Sequence, residues 1–307
     1  MKKDLVIIGG GPAGAAAAVY ASRKKISSAI ITEEWGGQST VSTDVQNWIG
    51  TPHIAGAEIA KQLKAHVAEY ADDVLEVVEN DIVTALTKGE GGFLVTTKKG
   101  AEFEAKTILV CSGSRRRQLD VPGAEELNHK GISYCASCDA PLFGGVAVAV
   151  IGGGNAGFES AQQLLSYATK VTLLERGDSF KADPLTVEKT LANANMEALT
   201  NVRVKEIKGE SFVEAIVYED SEGEHTLEVG GVFVEIGSIP NSGFLANLVQ
   251  LNEIGEVVVD PKTQRASLEG VWAAGDVSDV LYKQNNISMG DAVKALEDIY
   301  LYLQKMD

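Results

Sequence analysis

Residues 4–8 (Asp-Leu-Val-Ile-Ile) form a nearly continuous apolar run, the pattern of a strand buried on both faces. A glycine-rich turn at 9–14 follows. An alanine-rich stretch at 15–24 then reads as a helix, and the apolar run 29–32 as the next strand. Together they make a β-α-β unit. The pattern returns 143 residues later as apolar 146–151, glycine-rich 152–157, helical 158–167 and strand-like 170–174. That spacing is too long for a solenoid and indicates one unit present twice. Between the copies, 81–86, 93–97 and 101–103 alternate as short strands and read as a β-meander ahead of a buried strand at 107–110. A similar series, 202–207, 212–218, 225–229 and 231–236, follows the second copy. Residues 114–122 and 239–243 are polar, proline-bearing connections and the candidate hinges. Apolar residues at helical spacing over 288–305 close the chain. The pattern predicts an α/β fold of two Rossmann-like, three-layer ββα dinucleotide-binding domains, one inserted in the other. Residues 1–117 and 242–307 form one domain, and 118–241 the other.

Composition narrows the partners. The 307 residues include 27 basic and 43 acidic side chains, a net charge of −16. A surface of that sign repels nucleic-acid backbones and anionic membranes, so neither is an expected partner. The 32 glycines are about one residue in ten against an average near 7%, and they cluster, as they do where backbone approaches a ligand. The uncharged stretch 5–22 after Lys2 and Lys3 imitates a membrane or signal segment, but four glycines and Pro12 interrupt it. The expectation is a soluble, cytoplasmic protein.

The glycines carry the chemistry. Gly9, Gly11 and Gly14 form G-x-G-x-x-G between a strand and a helix, the context in which that motif binds a dinucleotide. The first allows the tight turn, the second lets backbone N–H groups reach a pyrophosphate, and the third lets helix and strand pack closely. Glu33 and Glu34 stand at the distance expected of a ribose-binding acid. Gly152, Gly154 and Gly157 repeat the motif, with Glu175 closing the second strand. A carboxylate there accepts from a 2′-hydroxyl and repels a 2′-phosphate, which favours NADH over NADPH; Arg176 and Lys181 pull the other way. The bland alternatives are a ligand-free glycine turn and a solvated strand end. Two dinucleotide sites imply two dinucleotides, most economically FAD and a nicotinamide cofactor. Cys135-Ala136-Ser137-Cys138-Asp139 places two thiols at redox spacing, and Asp139 could move a proton to or from a thiolate. A zinc site would need further ligands; Cys111 is the only other cysteine, and His53, His66, His129 and His225 show no ligand spacing. Two incidental buried thiols are the other alternative.

The order of motifs resembles a low-molecular-weight thioredoxin reductase along essentially the whole chain: glycine fingerprint, Gly36-Gly37-Gln38, Cys135-x-x-Cys138-Asp139, second fingerprint, Gly275-Asp276-Val277. The flavoprotein subunit of alkyl hydroperoxide reductase shares this core. The resemblance implies that Gly9, Gly11 and Gly14 hold the FAD pyrophosphate. Gly36, Gly37, Gln38 and Asn47 would line the flavin side. Residues 107–113, ending at Gly113, resemble a strand end near the cofactor, with Cys111 structural. Asp276 would bind the ribityl chain, and Gln284 would sit near the flavin ring. Gly152, Gly154, Asn155, Gly157 and Gly237 would hold the nicotinamide dinucleotide. Cys138 would face the flavin, Cys135 would attack the partner disulfide, and Asp139 would be the acid/base. The resemblance also implies rotation of the inserted domain, a thioredoxin or thioredoxin-like disulfide partner, and a homodimer. The chain departs from NADPH-dependent members: where they carry His-Arg-Arg-x-x-x-Arg it reads Glu175-Arg176-Gly177-Asp178-Ser179-Phe180-Lys181. NADH is therefore the expected donor. Some relatives take electrons from ferredoxin instead, for which Arg115-Arg116-Arg117 would offer a basic spot. A flavin-binding redox sensor without turnover is the non-enzymatic alternative.

Overall fold

The computed structural model describes residues 2–42, 44–245 and 247–306. Strand β1 (Lys2–Gly10) leads into α1 (Pro12–Arg23) and β2 (Ser28–Trp35), followed by α2 (Gly56–Tyr70), β3 (Leu75–Glu79), β4 (Val83–Gly89), β5 (Gly92–Thr97) and β6 (Glu102–Val110). The short strand β7 (Ser114–Arg116) leads to β8 (Ile132–Ser133), α3 (Ala136–Asp139), β9 (Ala147–Ile151), α4 (Asn155–Leu164), β10 (Lys170–Leu174) and α5 (Pro184–Leu191). Strands β11 (Met196–Leu199), β12 (Arg203–Lys208), β13 (Ala215–Asp220), β14 (Gly223–Glu228) and β15 (Gly231–Val234) follow. After β16 (Ser238–Pro240) come β17 (Val271–Ala273) and α6 (Asn285–Leu303).

The chain divides into two compact units, Met1–Arg115 with Ile239–Asp307, and Arg116–Ser238. In the first, the sheet runs β3-β2-β1-β6-β5-β4, with β17 also on β6. Strand β1 lies between parallel partners β2 and β6, which is why its apolar run is continuous. Its side chains alternate between two cores. Leu5 and Ile7 pack with residues of α1, α2 and α6, including Ala17, Ile59, Leu63 and Ile299. Val6 and Ile8 pack on the opposite face with Phe93, Val95 and Leu245.

The second unit is a parallel sheet, β11-β10-β9-β15-β8, between two layers. Val148 and Val150 of β9 face Phe158 and Leu164 of α4. Ala149 and Ile151 face Ile207 and Ile216 of the antiparallel sheet β12-β13-β14. This is the expected ββα layering.

Several boundaries differ from the sequence pattern. The third meander segment and the strand at 107–110 are one nine-residue strand, β6, because polar positions such as Glu102 and Glu104 alternate with buried Phe103 and Ala105 before the run becomes fully buried. The strand expected at 212–218 begins at Ala215. A tight turn precedes it, in which a Cβ on Gly209 would lie 1.9 Å from the Phe212 carbonyl oxygen. Both fingerprint helices start earlier than the apolar pattern does, at Pro12 and Asn155, directly after glycine N-caps. Proline's fixed φ and missing N–H suit the first helical position. Helices α2 and α5 were not among the expected elements.

Candidate functional site

In the first unit, the site grows from the junction of β1 and α1. Gly9 has φ 110°, and a Cβ there would lie 2.3 Å from the Cys111 carbonyl oxygen. A Cβ on Gly14 would lie 1.8 Å from the Gly9 carbonyl oxygen, so the helix seats on the strand only with glycine. Gly11 is different: a Cβ there meets nothing within 4 Å. The space beside the turn is open, and α1 has neither a side-chain cap nor an acidic residue in its first turn. Its leading N–H groups thus lack intrahelical partners and suit an anion. Cys111, buried at the end of β6, is a packing residue; burial pushes its thiol pKa up.

Some of the other expected residues of this unit lie beside that turn, and the rest pair among themselves or with neighbours. The Gly36 N–H donates to the Gly10 carbonyl at 3.0 Å, and Gly37 lies against Gly11. Glu33 and Glu34 stand exposed at the end of β2, just before Trp35, which pairs with Gly10. Gly275 packs against Ala13 of α1 and Ser288 of α6, and the Ser288 hydroxyl reaches Asp276 Oδ1 at 3.5 Å. Gln284 is the N-cap residue of α6, and its Oε1 accepts from Asn47 Nδ2 at 3.2 Å. Gln38 Nε2 donates to Ser114 Oγ at 3.3 Å, and Gly113 accepts from the Asn241 N–H through its carbonyl. Ser39, Asn285 and Asn286 were not foreseen. Ser39 Oγ donates to Asn285 Oδ1 at 2.9 Å, and Asn286 Nδ2 to the Asn47 carbonyl at 2.8 Å. Nothing local in the sequence signals contacts across 246 and 239 residues.

The second unit repeats the turn. Gly152 has φ 117°, and a Cβ there would lie 2.4 Å from the Glu235 carbonyl oxygen. A Cβ on Gly157 would lie 1.8 Å from the Gly152 carbonyl oxygen, whereas one on Gly154 meets nothing within 4 Å. Helix α4 again has no side-chain cap, in contrast to α5, where Asp183 Oδ1 accepts from the Leu185 and Thr186 N–H groups. Asn155 opens α4, with its Oδ1 accepting from the Asp183 N–H at 2.8 Å. Glu175 reaches back to the turn: Oε2 accepts from the Gly153 N–H and Oε1 from the Gly177 N–H, each at 2.6 Å. Two backbone donors thus fix a carboxylate beside the turn, while Arg176 and Lys181 are exposed. Gly237, φ 95°, accepts from the Arg117 N–H through its carbonyl. Two open glycines before uncapped helices fit the pyrophosphates of two dinucleotides.

Glu235 lies two residues before Gly237, and its buried pairing was not foreseen. It follows the buried run of β15, and its Oε1 accepts from Ser160 Oγ of α4 at 2.6 Å. Burial pushes this carboxyl's pKa up, against the Ser160 hydrogen bond and the Arg116 charge, and neighbouring Glu159 adds to the rise. A charged residue type at the end of an apolar run was the available signal.

The same unit carries a Cys135–Cys138 disulfide with Cα atoms 5.3 Å apart. Cys135 is the N-cap of α3, and its carbonyl accepts from the Cys138 and Asp139 N–H groups at 3.2 and 3.1 Å. The fold therefore places Asp139 one turn from Cys135. Ser133 Oγ donates to Asp139 Oδ2 at 2.6 Å and accepts from the Cys135 N–H at 3.2 Å. Burial pushes the Asp139 carboxyl's pKa up, opposed by the Ser133 hydrogen bond and by His129. Among the described residues, no three His, Cys, Asp or Glu side chains form a metal-binding group, and no helix is long and apolar enough to cross a membrane.

The model of the pyridine nucleotide-disulphide oxidoreductase family matches residues 3–295. An alkyl hydroperoxide reductase subunit of Escherichia coli is 40% identical over 304 residues, 98% of this chain and 58% of that protein. The chain thus spans under two thirds of that relative. Among solved structures, thioredoxin reductase from Streptococcus pyogenes matches with TM-score 0.90 and 33% identity over 99% of both chains. The Giardia duodenalis thioredoxin reductase matches with TM-score 0.92 and 30% identity over the same share.

Proposed function

The chain belongs to the pyridine nucleotide-disulphide oxidoreductase family, and from that premise we propose that it is a flavin-dependent disulfide reductase. It passes electrons from NADH, by way of FAD, to the Cys135–Cys138 disulfide and on to thioredoxin or a thioredoxin-like protein. The observation that carries this is a disulfide with an acid one turn away, in the unit that also holds the second open glycine turn. Bound FAD supplies a two-electron relay between a hydride donor and a disulfide.

The chain's residues divide the remaining work. Gly9, Gly11 and Gly14 receive the FAD pyrophosphate, Glu33 or Glu34 the ribose, and Asp276 the ribityl chain. Gly36, Gly37, Gln38, Asn47, Gly113 and Gln284 border the flavin, and Gly275 sets Asp276 beside α6. In the other unit, Gly152, Gly154, Asn155, Gly157 and Gly237 hold the nicotinamide dinucleotide. Glu175 favours NADH because its fixed carboxylate would meet a 2′-phosphate with like charge. Once reduced, Cys135 attacks the partner disulfide as a thiolate, Cys138 resolves the mixed disulfide, and Asp139 exchanges the proton. Residues 114–122 and 239–243 are the hinges, and the family's homodimer is the assembly we expect.

A thioredoxin-coupled assay tests this. Cys138→Ser is expected to abolish disulfide turnover while FAD stays bound; full turnover would refute the scheme. The ratio of kcat/KM for NADH to that for NADPH is expected to exceed about tenfold, the effect of one like-charge contact. Rapid reduction by ferredoxin, with neither nicotinamide effective, would change the donor and leave the disulfide chemistry intact.

A further inference from the structure

We propose that Ser133 is a positioning residue that fixes which oxygen of Asp139 carries the exchanged proton. This rests on the reading of Asp139 as the acid/base of the Cys135–Cys138 pair. Ser133 is only 3% exposed, on β8, two residues before Cys135. A hydroxyl has one proton to give and lone pairs to receive. The Cys135 N–H occupies a lone pair of Ser133 Oγ at 3.2 Å. The hydroxyl proton is then directed to Asp139 Oδ2 at 2.6 Å, a length typical of a hydrogen bond to a carboxylate. The carbonyl oxygen of a carboxylic acid is its stronger acceptor, so with Oδ2 receiving this proton the proton of a protonated Asp139 is directed to Oδ1. The Cys135 amide thus orients one buried hydroxyl, and that hydroxyl orients the acid. The groups acting on Asp139 are Ser133 from β8, His129 from the loop before it, and the burial imposed by the surrounding chain. Tyr134, between Ser133 and Cys135, is itself partly buried, with its hydroxyl pKa pushed up by that burial.

In the exchange, the Cys135 thiolate attacks a partner disulfide, forming the Cys135–partner bond and breaking the partner S–S bond. The departing partner thiolate takes the proton from Asp139 Oδ1. Cys138 then gives its thiol proton to the Asp139 carboxylate as its sulfur displaces the second partner sulfur. The Cys135–Cys138 disulfide re-forms, and the partner has gained two electrons from the dithiol.

The test uses two disulfides on the dithiothreitol-reduced, FAD-bound protein after removal of reductant without air. Bis(2-hydroxyethyl) disulfide releases a basic thiolate that needs an acid; dipyridyl disulfide releases one that does not. Ser133→Thr and Ser133→Val are matched in size, and only Thr keeps the hydroxyl. Thr is expected to match the wild type with both disulfides. Val is expected to slow the hydroxyethyl reaction about tenfold, the equivalent of one hydrogen bond to a charged group, and to leave the dipyridyl reaction unchanged. Equal slowing with both disulfides, or none with either, overturns the inference. Asp139→Asn separates it from its premise: a normal hydroxyethyl rate in that variant refutes the acid/base reading itself. If it is slow while the Val variant is normal, only the role of Ser133 falls. Should Val disturb folding, as judged by circular dichroism, Ser133→Ala removes the hydroxyl without added bulk and carries the same expectation.

Discussion

Burial pushes up the pKa of the Glu235 and Asp139 carboxyls, and both lie in the unit that holds the disulfide. A folded-state pKa raised above the unfolded value means that folding favours the acid form. The stability linked to that form is complete below the unfolded pKa and is lost as pH rises through the folded one. Glu235→Gln keeps an acceptor for the 2.6 Å hydrogen bond from Ser160 and removes the charge. It is expected to raise Tm relative to wild type at pH 8 and to have a smaller effect at pH 5, as thermal melts would show. A larger gain at pH 5 would mean that the carboxylate is stabilised in the fold. At this scale the legible residues were those with local context: Cys135, Cys138 and Asp139 lie within five positions, and the glycines within six. Glu235–Ser160 and Ser39–Asn285 were not legible, because they pair residues 75 and 246 positions apart through the fold alone, whereas Asn47 and Gln284, which also pair, were named through the resemblance.

The strand-turn-helix element was legible twice because its constraints are local: a buried strand, a glycine that must turn, and a glycine on which the helix must seat. Helix α2 was not, although its buried Ile59, Leu63 and Val67 recur every four residues; lysines and alanines between them dilute the pattern. The meander ran into β6 because exposed glutamates break the apolar run of its first half. Two substitutions in one turn separate seating from binding. Gly157→Ala forces a Cβ to 1.8 Å from the Gly152 carbonyl oxygen and is expected to cost about 1–3 kcal/mol in denaturant unfolding. Gly154→Ala enters open space at an extended φ of −87° and is expected to leave stability within about 0.5 kcal/mol. The same methyl occupies the space assigned to the pyrophosphate, so Kd for NADH is expected to rise about tenfold in a binding titration. Unchanged affinity would move the nucleotide away from this turn.

For the whole molecule, the duplicated unit was the strongest sequence signal, and the structure shows two parallel-sheet cores, one built from both ends of the chain. The pairing of FAD with a nicotinamide cofactor was argued from the two glycine motifs and the NADH preference from Glu175, whereas the disulfide partner was reachable only through the resemblance. Disulfide reduction by this chain requires that electrons delivered to the flavin continue to the Cys135–Cys138 pair. The decisive experiment is anaerobic titration of the FAD-bound protein with NADH, following flavin absorbance and newly titratable thiols. The wild type is expected to consume about two equivalents per chain, one for the flavin and one for the disulfide, and to gain two thiols, while Cys138→Ser consumes about one. Bleaching complete at one equivalent in both proteins, with the disulfide still closed, would show that the electrons stop at the flavin.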